Sequence, residues 1–283
     1  MLLLSPVLGF SQKIEFGGFV NSSQYFGDLR EDLQTRNGVG DFLGYGLKHV
    51  RAGGAGFVRY NASPNVSLRF NVGFSQIKGD DALANASKNK NRNLSFKSNI
   101  LEFAALAEYN LRAFEFSRSY LGGANSTPYL FGGLAVYHFN PMALYKPTNK
   151  YYALQPLGTE GQGLLEYPAR PRYALTQINI PIGIGYKFII NQNFRLGIEA
   201  GYRFCFTDYI DDVSRTYVDN NTLLANYGPD RPSAYFADRR PEIGLARQAE
   251  GEIRGNPNNR DGYFLLGVSL SYVVFKSTCP SWE

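Results

Sequence analysis

Residues 195–207, RLGIEAGYRFCFT, alternate between two sets of opposite character. Leu196, Ile198, Ala200, Tyr202, Phe204 and Phe206 form one, and Arg195, Gly197, Glu199, Gly201, Arg203, Cys205 and Thr207 form the other. Successive side chains of a strand point to opposite faces, so the stretch predicts a two-sided β-strand. Its polar set, glycines interleaved with Arg, Glu and Arg, is too small and too charged for an ordinary water-facing surface. Apolar side to lipid and polar side to a narrow lumen is the transmembrane barrel pattern.

Similar alternation predicts seven further strands, at 13–25, 51–60, 66–77, 98–111, 127–139, 173–189 and 262–275. Val66, Leu68, Phe70, Val72 and Phe74 face outward on the third, and Leu101, Phe103 and Tyr109 on the fourth, with Glu102 and Glu108 inward. Tyr129, Phe131, Tyr137 and Phe139 lie near both ends of the fifth, a placement that suits interfacial girdles. Pro181 interrupts the sixth. Proline removes a ladder donor and a closed barrel has no edge strand, so a bulge or missing bond is expected there. Short turns at 61–65 and 191–193 alternate with long connections, and 241–253 predicts a short helix with Pro241 at its start. The result is all-β: an eight-stranded antiparallel up-and-down transmembrane β-barrel with long extracellular loops, both termini on the periplasmic side. A lipocalin-like soluble barrel would need a polar outer face, which these strands lack.

Composition narrows the class without changing it. Tyr (20) and Phe (21) far outnumber Trp (1), while mean hydropathy is only −0.27. No stretch reaches eighteen uninterrupted apolar residues, which excludes a transmembrane helix but not a barrel. Residues 1–11, MLLLSPVLGFS, read as a remnant signal peptide lacking its charged n-region, leaving the barrel at 12–276 and a short periplasmic tail at 277–283. A net charge of +5 is too mild to point to nucleic acid. The basic run KNKNR at 88–92 reads as a solvated loop.

Candidate chemistry is sparse. Arg59, Arg69, Glu102, Glu108, Lys187, Glu199 and Arg203 fall on the inward set, and an eight-stranded interior is just wide enough for side chains to fill. They predict an ion-pair core that closes the lumen rather than a channel. His49 and His138 are the available general bases, and small lipid A-modifying barrels use such residues, but no nucleophile signature accompanies them. Asp28, Asp80, Asp81, Asp208, Asp211, Asp212 and Asp261 gather at outer strand ends, where oxygen ligands could hold Ca²⁺. Their spacing matches no calcium loop, and turn capping is the preferred account. Cys205 and Cys279 belong to opposite ends of the barrel, so no disulfide is expected, and Cys205 is a lumen filler. No catalytic residue, metal, cofactor or small-molecule substrate is assigned.

The segments Tyr25-Phe26-Gly27-Asp28-Leu29, Arg59-Tyr60-Asn61, Gly79-Asp80-Asp81, Tyr209-Ile210-Asp211-Asp212-Val213-Ser214 and Gly255-Asn256-Pro257 before Asp261 lie at strand ends in this order. The set resembles the PorG-type outer-membrane β-barrels of Bacteroidetes over nearly the whole mature chain. The resemblance implies a non-enzymatic component of the type IX secretion and gliding machinery, set in outer-membrane lipid and associated with a periplasmic ring lipoprotein. It marks Tyr25, Gly27, Asp28, Asp80, Asp81, Tyr209, Asp211, Asp212 and Asp261 as family strand-end positions. The alternative is a small barrel serving envelope integrity or surface binding through its long loops.

Overall fold

Alternation of this kind can be satisfied on both faces only if the sheet closes, and it does. The computed structural model describes residues 14–29, 51–83, 87–114 and 125–274. Its strands are β1 (Ile14–Phe26), β2 (Arg51–Asn61), β3 (Val66–Asp80), β4 (Ser95–Asn110), β5 (Ser126–Tyr145), β6 (Lys150–Ala153), β7 (Thr176–Ile189), β8 (Phe194–Cys205) and β9 (Gly262–Val274). The order β4-β3-β2-β1-β9-β8-β7-β5 returns to β4, so eight antiparallel strands form a closed barrel. All eight predicted strands are present. The short β6 was not expected: β5 runs on through Pro141 to Tyr145 and folds back, with Asn149 left-handed (φ 54°) in the turn.

Ile14, Asn61, Asn110, Ile189, Phe194 and Val274 mark the end that carries the short turns at 62–65 and 190–193 and the β4–β5 connection, the turn end; the opposite end carries the remaining connections, the loop end. Outward residues are apolar all round: Val20 is 71% exposed, Leu134 65% and Ile184 61%. A soluble monomer seldom exposes an apolar patch beyond about 600 Å². This belt circles the molecule, and lipid is the solvent that suits it. On β3 it runs from Val66 to Phe74, nine residues, or roughly 20 Å at the usual strand rise and tilt. No helix among the described residues is long and apolar enough to cross a membrane.

Three expectations change. Tyr129, Phe131, Tyr137 and Phe139 are buried in the lumen, not on a girdle. The outward aromatics at the turn end include Phe16, Tyr60, Tyr109, Tyr186, Phe188, Phe194 and Tyr272. Run 88–92 lies in a short helix, α1 (Ser87–Arg92), and the Arg92 side chain is only 11% exposed. The predicted helix at 241–253 is a 3-10 turn, Arg240–Ile243, stopped by left-handed Gly244 (φ 77°). The loop's helices lie earlier, α2 (Asn220–Tyr227) and α3 (Ser233–Ala237). The signal remnant 1–11, His49, Cys279 and the tail 277–283 lie outside the described residues.

At Pro181 the β5–β7 ladder stops after Gly132↔Ile182 and resumes at Ala135↔Asn179. The register is unchanged across the gap, so bonds are missing and no bulge forms. On its other side Pro181 still pairs with Arg203. Pro181→Val is therefore expected to stabilise the barrel by about 0.5–1.5 kcal/mol, the worth of one regained hydrogen bond. An unchanged midpoint in urea unfolding would show that the gap has another cause.

Candidate functional site: a charged lumen under a pinned cap

Closing eight strands brings the inward sets of all of them within side-chain reach. Toward the turn end three carboxylates and three cations of the lumen interlock. Arg59 binds Glu15 at 2.7 Å, and Arg69 meets Glu199 in a two-bond fork whose second arm is 2.8 Å. Glu108 sits between them: Arg59 Nη2 donates to it at 3.2 Å and Lys187 Nζ also donates to it. The Nε atoms of Arg59 and Arg69 lie 3.0 and 3.1 Å from Glu108 but off the hydrogen-bonding direction, an electrostatic contact only. Higher in the barrel Arg203 is 3.6 Å from Glu102, which also accepts bonds from Tyr263 and from Asn179.

Aromatic rings fill what the charges leave. Phe57 faces Gly17 across the β1–β2 ladder, Phe131 faces Gly183 and Tyr129 faces Gly185. A Cβ on those glycines would fall 2.2 to 2.3 Å from the facing ring. Each missing side chain is the space its partner occupies, a device that lets tight barrels close. The Arg69 guanidinium lies 5.4 Å from the centre of the Phe57 ring and 5.5 Å from that of Phe131, and Lys187 Nζ lies 4.1 Å over Tyr129. Near Glu102 and Arg203 the lumen holds a cavity of about 20 Å³, lined also by Asn71, Ser75 and Tyr263, which is room for one water molecule.

Toward the loop end the lumen turns apolar and merges with a cap. Ile77, Phe96, Ile100, Phe139 and Leu265 from the barrel pack with Leu154, Ile210, Val213 and Phe236 from the loops. The cap is held by side-chain bonds between segments remote in sequence. Tyr25 Oη donates to Asp261 Oδ1 at 2.5 Å, and the other oxygen of Asp261 accepts from Ile210 N at 2.8 Å. Asp211 accepts from Leu29 N at 3.1 Å and from Val213 N at 2.9 Å, and Asp28 accepts from Asn256 N at 2.7 Å. A Cβ at Gly27 would fall 1.8 Å from Tyr25 Oη and 1.9 Å from Asp261 Oδ1. Only glycine fits there.

Asp212, left-handed at φ 66°, accepts from Tyr173 Oη at 2.7 Å and Thr159 Oγ1 at 2.5 Å. Tyr209 stacks on Tyr173 at 4.8 Å. Asp81 receives both arms of Arg92 at 2.8 Å, and Arg92 donates further to the carbonyls of Asp28 and Arg254 at 2.6 Å each. Thus the strand-end residues Tyr25, Gly27, Asp28, Asp81, Tyr209, Asp211, Asp212 and Asp261 share one network, whereas Asp80 stands apart with Lys78 at 3.6 Å. Sequence reasoning missed Glu160, Arg254 and Tyr173. Glu160 accepts from Ser214 N at 3.0 Å and from Arg254 Nη1 at 2.9 Å. These contacts join loops without any local motif that could mark them.

Burial dominates the electrostatics of the cap. It raises the Asp211 carboxyl to about 8, helped by the nearby Asp28 charge, and Asp208 to about 9, with Asp211, Asp28 and Glu160 adding to the shift. Asp212 is raised only to about 6 because Arg254 opposes its burial. Among the described residues no group of three or more His, Cys, Asp or Glu is arranged to hold a metal. The carboxylates of Asp28, Asp81, Asp211, Asp212 and Asp261 instead accept N–H and O–H donors, as capping requires. His138 points outward on β5, its Nδ1 3.0 Å from Thr176 Oγ1 across the ladder. Cys205 is buried in the lumen with its thiol free.

Among solved structures, the chain is similar to Neisserial surface protein A at 10% identity, covering 93% of this chain and 97% of that one, TM-score 0.41. It is similar to Ail of Yersinia pestis at 8% identity, 93% and 99% coverage, TM-score 0.39. It is also similar to OprG of Pseudomonas aeruginosa at 9% identity, 94% and 97% coverage, TM-score 0.37. No curated protein matches the chain. A family described only as a domain of unknown function, DUF6089, matches residues 1–155 of the 283, from the first strand through the ion-paired β2–β4 segment to β6, and the chain belongs to that family.

Proposed function

We propose that this protein is a non-enzymatic outer-membrane barrel that anchors the type IX protein secretion and gliding machinery of Bacteroidetes, with both termini in the periplasm and a periplasmic ring lipoprotein as its partner. The observation that carries the reading is the filled lumen. A barrel plugged by paired charges and capped by bonded loops does not transport solutes, so it serves as a rigid body whose two ends are available for binding. The PorG-type motifs at the strand ends supply the identity of the machinery.

Docking at the turn end is assigned to the β4–β5 connection. Its middle, 115–124, lies outside the described residues. Its roots are fixed, since Leu111 N donates to Pro128 O at 3.0 Å, Arg112 N to Thr127 Oγ1 at 3.0 Å and Phe114 N to Pro64 O at 3.0 Å. Replacing 115–124 with a short Gly/Ser turn is expected to abolish co-purification of the ring lipoprotein from native membranes while the barrel stays folded. Undiminished co-purification would sink the docking assignment. The second reading, surface binding through the long loops, draws on the cap being ordered by its own helices and buried bonds. Secretion intact in a deletion strain, with altered surface binding, would favour it.

A further inference from the structure

We propose that the outward face of the β3–β4 hairpin at the loop end binds the phosphate of a phosphorylated membrane lipid through Lys78 and Lys97. The proposal needs only that the apolar belt lies in lipid and is independent of the secretion role.

The ladder register places the two lysines. Phe74↔Leu101 is the last apolar pair of the belt on this hairpin, both side chains being exposed. The next outward pair is Gln76↔Asn99, whose amides bond at 2.9 Å, and the next is Lys78↔Lys97. Outward pairs are spaced by about 7 Å along a strand, so the ammonium groups stand on the order of 10 Å beyond the belt once tilt is allowed for, at the depth of lipid headgroups.

Like charges directly opposite each other on one sheet face repel. A lysine pair at an interface ordinarily relieves this by snorkelling apart into water. Here the movement is limited. Lys97 Nζ sits 3.2 Å from the centre of the Tyr151 ring, contributed by the β5–β6 hairpin, and Lys78 Nζ is 3.6 Å from Asp80. Two cations against one carboxylate leave positive charge at a fixed point on the lipid boundary. An anion with an acyl chain satisfies both parts of that surface: its phosphate bridges the ammonium groups and its tail lies along Phe74, Leu101 and Phe103. A free phosphate would use only the first part.

The test uses the full chain in nanodiscs of phosphatidylcholine doped with phosphorylated lipid A or with the same lipid after phosphatase treatment. Lipid retained on the barrel after extraction into mild detergent is counted by native mass spectrometry. Wild type is expected to retain the phosphorylated lipid about tenfold better than the dephosphorylated one, and Lys78→Gln/Lys97→Gln to lose that preference, as removal of two surface cations should. Lys78→Arg/Lys97→Arg should keep it. Equal retention of both lipids, or an unchanged preference in the glutamine variant, overturns the site, as does full displacement by inorganic phosphate alone. Migration on unheated gels confirms that each variant is folded, and Lys97→Gln alone serves if the double variant is not. A chain that stays monodisperse without detergent would instead refute the membrane-embedded belt itself.

Discussion

Glu108→Leu is expected to destabilise the barrel by about 3–5 kcal/mol, the cost of breaking a buried ion network by removing one partner. Glu108 is the carboxylate shared by Arg59, Arg69 and Lys187, and its side chain is fully buried. Leucine fills a similar volume, so little of the loss is cavity. What remains is cationic charge in a lumen where Glu15 and Glu199 are already engaged by Arg59 and Arg69. Lys187 would keep the weak donor bond to Asn110 at 3.2 Å, the face of Tyr129 and the attraction of the more distant Glu15. Urea unfolding of the barrel in lipid vesicles, followed by gel migration, measures the change. A loss below about 1 kcal/mol would mean that the network is hydrated and contributes little, as exposed pairs do. Because these residues act together, Glu108→Leu and Arg69→Met should be strongly non-additive in a double-mutant cycle.

The second large effect is a loosening of the cap with rising pH. Asp211 and Asp208 are raised to about 8 and about 9, above the ordinary carboxyl range, so the closed cap binds more protons than the opened one through the neutral range. Stability linked to them is fully present below about pH 4, where both states are protonated, and declines as pH rises through 8 and 9. Above that range the decline levels off. Asp28, Asp261 and Glu160 surround these groups and repel the ionised forms, while Arg92 is the cation that opposes the shift of Asp211. Amide exchange within 206–261 should therefore be slowest near pH 4 and accelerate, after correction for intrinsic rates, toward pH 9, with the barrel ladder unaffected. Asp211→Asn, which cannot ionise, should flatten the profile. A corrected profile that is flat in wild type would refute the assignment.

Much of the barrel was legible because a strand's side-chain period of two ties one-dimensional pattern to two-sided environment. On β8 and the two residues after it every inward and outward assignment follows from it, from Arg195 to Thr207. The pattern failed where it was ambiguous. On β5 both sets are apolar, Leu130, Leu134 and Val136 against Tyr129, Phe131, Tyr137 and Phe139, so alternation alone could not choose a face. The choice was made by Gly183 and Gly185 on β7, which leave space for the rings. Arg92 shows a different failure. Within KNKNR it resembles its neighbours, and only the positions of Asp81, Asp28 and Arg254 separate it from them.

The sequence by itself determined the number of barrel strands, the outward face of most of them and the inward placement of the charges, since each depends on residues close together in the chain. Tertiary structure decided which charges pair, which aromatics close the lumen and how the loops become a cap. Tyr25 and Asp261 are 236 positions apart and Arg69 and Glu199 are 130, and a contact across such separations exists only once the sheet has closed and set the register. Closure is a property of all eight strands together, so no single stretch carries it.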